Sequence, residues 1–214
     1  MRLYGYHRST ATFRARIALN LKGIAYESVN LGIREGVHRL PPFRLLNPQG
    51  LIPALDDDGT SLSQSLAIIE YLEERYPQPP LLPSSPVDRA RVRSMALAVA
   101  CDMHPLNNLR VLEFLRGPLG VRPDAVETVW YAHWIAEGFA GLEQEALRWS
   151  ADGRYMFGAA VTLADVCIVP QMYNAVKFRC DLAPYPTLRG ICAHLEQLPE
   201  FVRATPEAHG FSPE

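Results

Sequence analysis

Residues 2–29 read Arg2-Leu3-Tyr4-Gly5-Tyr6-His7-Arg8-Ser9-Thr10-Ala11-Thr12-Phe13-Arg14-Ala15-Arg16-Ile17-Ala18-Leu19-Asn20-Leu21-Lys22-Gly23-Ile24-Ala25-Tyr26-Glu27-Ser28-Val29, and their period changes twice. Arg2 to Tyr6 alternates sides as a short strand does. Ser9, Thr10 and Thr12 offer N-caps to an apolar ladder of Phe13, Ile17 and Leu21 at i, i+4, i+8. Lys22 and Gly23 then supply a cation for the helix C-terminus and a residue that tolerates the left-handed turn. Tyr26 to Val29 reads as a second strand. The whole is a βαβ unit, with the strands parallel and the crossover right-handed.

Downstream, Val37 to Leu46 has a weaker helical pattern. Ala54-Leu55 and Ser61-Leu62 flank Asp58-Gly59, a hairpin signal that makes two short antiparallel strands. Pro53 stands at a strand entrance, where proline cannot donate to the ladder. Ile52-Pro53 is a candidate cis peptide, and an ordinary trans edge proline is the alternative. Gln64 to Glu73 predicts a helix with Ser65 as N-cap, ending before Pro77. Five of the ten residues 77–86 are proline, which predicts a stiff linker and a domain boundary. The expected division is therefore 1–78 mixed α/β, 79–86 linker and 87–214 helical.

In the second part, Val87 to Leu115 predicts one long helix or two abutting at His104-Pro105, and Pro123 opens another to about Trp149. Thr162-Leu163-Ala164-Asp165 is a near capping box before a buried helix through Val169, which Pro170 is expected to interrupt or kink. Pro186 precedes a last helix from Thr187 to about Leu198.

The 214 residues carry 21 basic and 23 acidic side chains, a net charge of −2 without a basic patch, which excludes nucleic acid and anionic membrane as natural partners. The first residues lack the apolar core of a secretion signal and no stretch is long enough to span a bilayer, so a cytoplasmic location is expected. Cys101, Cys167, Cys180 and Cys192 have no CxxC spacing; they read as buried free thiols, and no metal site is expected.

Ser9 is the first candidate for chemistry. A helix N-terminus behind a β-strand attracts anions, and a thiolate is one; hydroxyls of Ser9 and Thr10 beside it would lower a thiol pKa. Taken alone, the pattern is first of all that of a capped helix. Gln64-Ser65 is ambiguous in the same way.

Together, strand–Ser–helix, Ile52-Pro53 and Gln64-Ser65 before a helical half resemble the glutathione transferase superfamily. Arg8 to Gly23, Gln64-Ser65-Leu66-Ala67-Ile68-Ile69-Glu70-Tyr71-Leu72-Glu73-Glu74, Leu163 to Gln171 and Asp181-Leu182-Ala183-Pro184-Tyr185-Pro186 are similar to its zeta class, so the likeness spans nearly the whole chain. The resemblance implies an N-terminal thioredoxin-like α/β domain, with a mixed four-stranded sheet and helices, followed by an all-α domain. It implies glutathione as cofactor and a homodimer formed through the first long helix. The implied activity is cis–trans isomerisation of a maleyl diacid, maleylacetoacetate or maleylpyruvate, in aromatic-compound breakdown. The thiolate adds to the double bond, the single bond rotates, and elimination returns the cofactor.

Carried over residue by residue, Ser9 is the thiolate's partner, with Thr10, Ala11, Thr12, Phe13 and Arg14 as the surrounding helix start. Ile52 meets the cysteinyl backbone, Gln64 and Ser65 the γ-glutamyl end, and His38, on a looser match, the glycyl end. His104, Asn108, Leu109 and Arg110 border the active site. Arg8 and Arg110, with Lys177 assisting, are the choices for the substrate's carboxylates, because a guanidinium pairs bidentately with them. As alternatives, Arg8 and Lys177 read as solvated surface charges and Arg110 as a partner of Glu113. Ser9-Thr10-Ala11 stands where the family has Ser-Ser-Cys, so chemistry that needs a protein thiol there is disfavoured. His104-Pro105-Leu106-Asn107-Asn108 with Arg110 is somewhat nearer the maleylpyruvate branch, and both substrates stay open. A broad glutathione transferase or α-haloacid dehalogenating enzyme, and a non-catalytic glutathione-fold interaction module, are the competing readings.

Overall fold

The computed structural model describes residues 1–210 and divides them into two compact units. The first comprises Met1–Pro80 and the segment that begins at Gln197; the second is Leu81–Glu196.

In the first unit, β1 (Arg2–Gly5), α1 (Thr10–Leu21) and β2 (Glu27–Asn30) form the expected βαβ motif, with β1 and β2 parallel in register Leu3 to Ser28. A 3₁₀ turn (Val37–Arg39) and α2 (Pro41–Leu46) lead to β3 (Ala54–Asp57), β4 (Thr60–Ser63) and α3 (Ser65–Arg75). The sheet order is β2-β1-β3-β4, with β1/β3 and β3/β4 antiparallel. Asp58 and Gly59, at φ 49 and 88, make the hairpin turn that their identities predict. Strand alternation assigns the two faces: Leu3 and Gly5 turn to α1, and Tyr4 turns to Phe43 of α2, ring centres 6.4 Å apart. Leu3, Ala15, Ile17, Ala18, Leu19, Leu55, Ile68 and Leu72 make the core.

Two boundaries differ from the sequence reading. The residues 79–86 do not form a free linker: Leu81 and Leu82 are buried in the second unit, and the Leu81 carbonyl accepts the Leu163 amide at 2.8 Å. The helical half does not run to the end of the chain. α10 (Pro199–Val202) packs on α1, where Asn20 Nδ2 donates to the Glu200 carbonyl at 2.8 Å and Phe201 is buried. Apolar periodicity shows that Phe201 needs a core, not which one.

The second unit holds α4 (Pro86–Leu97), α5 (Leu109–Arg116), α6 (Pro123–Ala125), α7 (Ala132–Trp149), α8 (Leu163–Lys177) and α9 (Pro186–Leu195). π-helical turns at Ala98–Met103 and Val126–Tyr131 replace part of the two long helices expected. Pro170 lies inside α8 without ending it. The helix is buried almost all round, and that enclosure offsets the missing backbone bond. α9 stops at Leu195, before the expected Leu198, and is followed by α10, where no further helix was expected. Of the cysteines, Cys167 and Cys192 are buried as expected, whereas Cys101 is exposed and Cys180 half-buried.

Buried carboxylates tie the helices together. The capping box at Thr162 is present, and Asp165 also accepts the Met156 amide at 2.8 Å. Burial pushes the Asp165 carboxyl up to about 6, against the lowering effect of these hydrogen bonds. Glu143 of α7 accepts the amides of Thr187 and Leu188, each at 2.9 Å, at the start of α9. We expect Asp165→Ala to lower the unfolding free energy by about 3 kcal/mol, since three donors lose their acceptor in a dry core. Urea titration measures it.

Candidate active site

Strand register gathers the predicted elements at one end of the sheet. Tyr4 pairs with Ala54, and Ala54 with Ser63. The exit of β1, the entrance of β3 and the exit of β4 therefore lie side by side, across about 10 Å at the usual strand spacing. The β1 exit leads to Ser9, the β3 entrance is Ile52-Pro53, and the β4 exit is Gln64-Ser65.

Ser9 is delivered by a tight junction. A Cβ on Gly5 would lie 2.2 Å from Thr12 Cγ2, so only glycine lets β1 run this close to α1. The turn between them closes with Ser9 N donating to the Tyr6 carbonyl at 3.0 Å. Ser9 is the N-cap of α1, and its Oγ accepts the Thr12 amide at 3.2 Å. That bond uses an oxygen lone pair and leaves the hydroxyl proton for donation toward an anion. The helix dipole and the first-turn amides reinforce the same polarity.

The Ile52-Pro53 peptide is cis, the alternative that its position at a strand entrance leaves open. Asn47 holds the approach to it, donating from Nδ2 to the Leu51 carbonyl at 2.6 Å and accepting the Gln49 amide at 3.1 Å. Gln64, not Ser65, is the N-cap of α3, and it sits at φ 68. A non-glycine residue in that region costs about 1–3 kcal/mol, and such strain clusters at functional sites. Its exposed side chain donates to Gln49 Oε1 at 2.8 Å. Ser65 is the first residue of the helix, and its Oγ accepts from Arg14 Nη1 at 3.0 Å.

The side chains of Thr12, Phe13 and Arg14, all expected around the ligand, are buried. Thr12 presses on Gly5, Phe13 belongs to the core, and Arg14 reaches the site through Ser65. Thr10 is buried too, and Ala11 half-exposed, in the first turn. Arg8 is half-exposed in the turn before Ser9. His38 is on the 3₁₀ turn, its Nε2 accepting from Arg39 Nε at 3.3 Å. Gln49 was not singled out by its sequence. The turn signal Asn47-Pro48-Gln49-Gly50 was the only hint, since the contact with Gln64 spans 15 positions.

In the second unit, Asn108 caps α5 by accepting the Arg110 amide at 3.2 Å, and its Nδ2 lies 3.3 Å from His104 Nε2. Leu109 and Arg110 begin that helix, exposed; Lys177 is the exposed last residue of α8.

Among known proteins, residues 3–80 match the family model for the glutathione S-transferase N-terminal domain. A probable maleylacetoacetate isomerase from Vibrio cholerae is 51% identical over 96% of this chain and 95% of its own length. A maleylpyruvate isomerase from a Ralstonia species is 46% identical over 97% and 98%. Among solved structures, the holo form of a maleylpyruvate isomerase, described as a bacterial zeta-class glutathione S-transferase, superposes with a TM-score of 0.96 at 45% identity over all of both chains. A maleylacetoacetate isomerase from Methylobacterium extorquens AM1, with bound malonate and glutathione, gives 0.94 at 42% identity, again over all of both chains.

Relief of the strained backbone gives a direct test of a functional load on Gln64. Gln64→Gly is expected to raise the unfolding free energy by about 1 kcal/mol. Urea titration reads the effect.

Proposed function

The chain belongs to the glutathione transferase superfamily, in its zeta class, and on that footing we propose that it is a glutathione-dependent cis–trans isomerase of a maleyl diacid in aromatic-compound breakdown. One observation carries the reading: the register of β1, β3 and β4 brings Ser9, cis-Pro53 and Gln64-Ser65 to one end of the sheet.

These groups fit a γ-glutamyl-cysteinyl-glycine tripeptide. Gln64, held in a strained conformation with its amide exposed, offers hydrogen bonds to the γ-glutamyl end together with Ser65. We assign the backbone of Ile52 to the cysteinyl main chain and His38 to the glycyl end. When bound, glutathione supplies the thiolate that adds to the cis double bond and is released after rotation.

The chain's part is to hold that sulfur charged and to grip the diacid. Ser9 would donate a hydrogen bond from its hydroxyl to the sulfur, and the amide of Thr10 would add a second donor at the positive end of α1; hydrogen bonds to the charged form lower a thiol pKa. All four cysteines lie in the second unit and Ala11 occupies the family's cysteine position, so no thiol of the first unit competes as nucleophile. We assign Arg8 and Arg110 to the substrate's carboxylates, with Lys177 assisting. The malonate held with glutathione by the Methylobacterium relative supports a site suited to dicarboxylates. Relatives named for maleylacetoacetate and for maleylpyruvate lie at similar identity, so both diacids are candidate substrates. A cytoplasmic homodimer is the form in which we expect it to act, and sedimentation tests the dimer. No helix among the described residues is long and apolar enough to cross a membrane.

Assays on both diacids, with and without glutathione, test the reading. Turnover is expected only with glutathione. Ser9→Ala should cut kcat about 100-fold, the usual cost of one lost donor to a reacting anion. Arg110→Ala should raise KM about tenfold with a smaller change in kcat. Full turnover by Ser9→Ala, or isomerisation without glutathione, would overturn the assignment.

A further inference from the structure

Arg16 heads the largest side chains fully enclosed by the protein, at 1% exposure. A guanidinium there costs free energy unless its donors are met. Two main-chain carbonyls far apart in sequence meet them: Nη2 donates to His7 O at 2.9 Å and Nε to Ala204 O at 2.8 Å. The Phe13 ring lies 5.6 Å from the guanidinium carbon. Burial lowers the Arg16 pKa to about 10, so the group stays charged at neutral pH and both bonds are charge-assisted.

Each of these carbonyls belongs to a segment with a role. His7 begins the turn His7-Arg8-Ser9, and its own amide is held by Asn30 Oδ1 at 3.3 Å. Ala204 follows α10, which is anchored on α1 by the Asn20 to Glu200 bond and by buried Phe201. Arg16 thus joins the docked C-terminal segment to the turn that carries both Arg8 and Ser9. Asn30 fixes the turn from the sheet; Arg16 fixes it from behind.

Resting on the assignment of Ser9 to the glutathione thiolate, we propose that Arg16 is a positioning residue for Ser9 and Arg8, through which the segment from Pro199 to Ala204 sets the placement of the active turn. Lysine cannot replace it, because one ammonium does not reproduce the fixed spread of two guanidinium donors.

The experiment follows ionisation of the bound thiol by its ultraviolet thiolate band across pH, with kcat, glutathione affinity and melting temperature, in full-length protein. Arg16→Lys is expected to raise the midpoint of thiol ionisation by about half a pH unit or more. It is expected to lower kcat about tenfold, with less than about a threefold change in glutathione affinity. Phe201→Leu, which loosens the segment without touching Arg16, should move the midpoint the same way by less. Lys22→Met, a control that removes a buried cation elsewhere on the helix, should lower the melting temperature and leave the midpoint where it was.

An unchanged midpoint in Arg16→Lys overturns the proposal, and should that variant not fold, an unchanged midpoint in Phe201→Leu does so. An equal shift in Lys22→Met also overturns it, because general loosening would then explain the effect. Ser9→Ala separates the two levels. If Ser9→Ala moves the midpoint and Arg16→Lys does not, only the role of Arg16 falls; if Ser9→Ala leaves it unmoved, the thiolate assignment falls as well.

Discussion

The close approach of β1 to α1 governs the first unit. Gly5 and Thr12 touch where no side chain fits, and the short turn between strand and helix is what remains of the chain's freedom. With the strand end fixed on the helix, Ser9 lands at the N-cap and its amide, carbonyl and hydroxyl oxygen are all engaged locally. The antiparallel register then places Pro53 and Gln64 beside it. A one-residue slip of β3 would turn Leu55 out of the core and move Pro53 away from Ser9, so core packing and site geometry are selected together.

Buried ionic groups serve this fold as ties to the main chain more than as partners of one another. Arg16 holds two carbonyls, Glu143 two amides, and Asp165 two amides and a hydroxyl. Lys22 does both, donating to Glu73 at 2.6 Å and to the Pro79 carbonyl at 2.7 Å. A buried ion pair alone is weak evidence of stability, since desolvation offsets its attraction. A charge that satisfies otherwise orphaned backbone groups does more, because those groups carry a desolvation cost of their own.

What could be read from the sequence was local. The βαβ motif, the Asp58-Gly59 hairpin, the Ser9 cap and the capping box at Thr162 each follow from residues within a few positions of one another. The resemblance carried the rest of the fold, because long motifs such as Gln64 to Glu74 encode several constraints at once. Two features stayed hidden for the same reason: each is a contact between distant segments. Arg14 bonding Ser65 explains why an arginine lies in the middle of an apolar helix face, and Gln49 bonding Gln64 depends on a register that no periodicity reveals. Ser65 was misplaced as a cap because serine suits that role, whereas Gln64 takes it with a backbone angle that glutamine ordinarily avoids. Pro170 did not end its helix because enclosure on all sides outweighed local preference.

The return of the chain to its first unit has a consequence for biogenesis. The second unit is one continuous stretch, whereas the first is split by it and needs carbonyls at positions 200 and 204 to satisfy Asn20 and Arg16. During synthesis those residues leave the ribosome only after the whole of the second unit, so the continuous helical unit is available to fold before the split first unit is complete. The usual order, in which the N-terminal domain matures first, is therefore reversed. A nascent chain stalled before Ala204 would expose the donors of Arg16 with no acceptor from the tail, and cellular quality control would meet an unfinished first domain beside a finished second one.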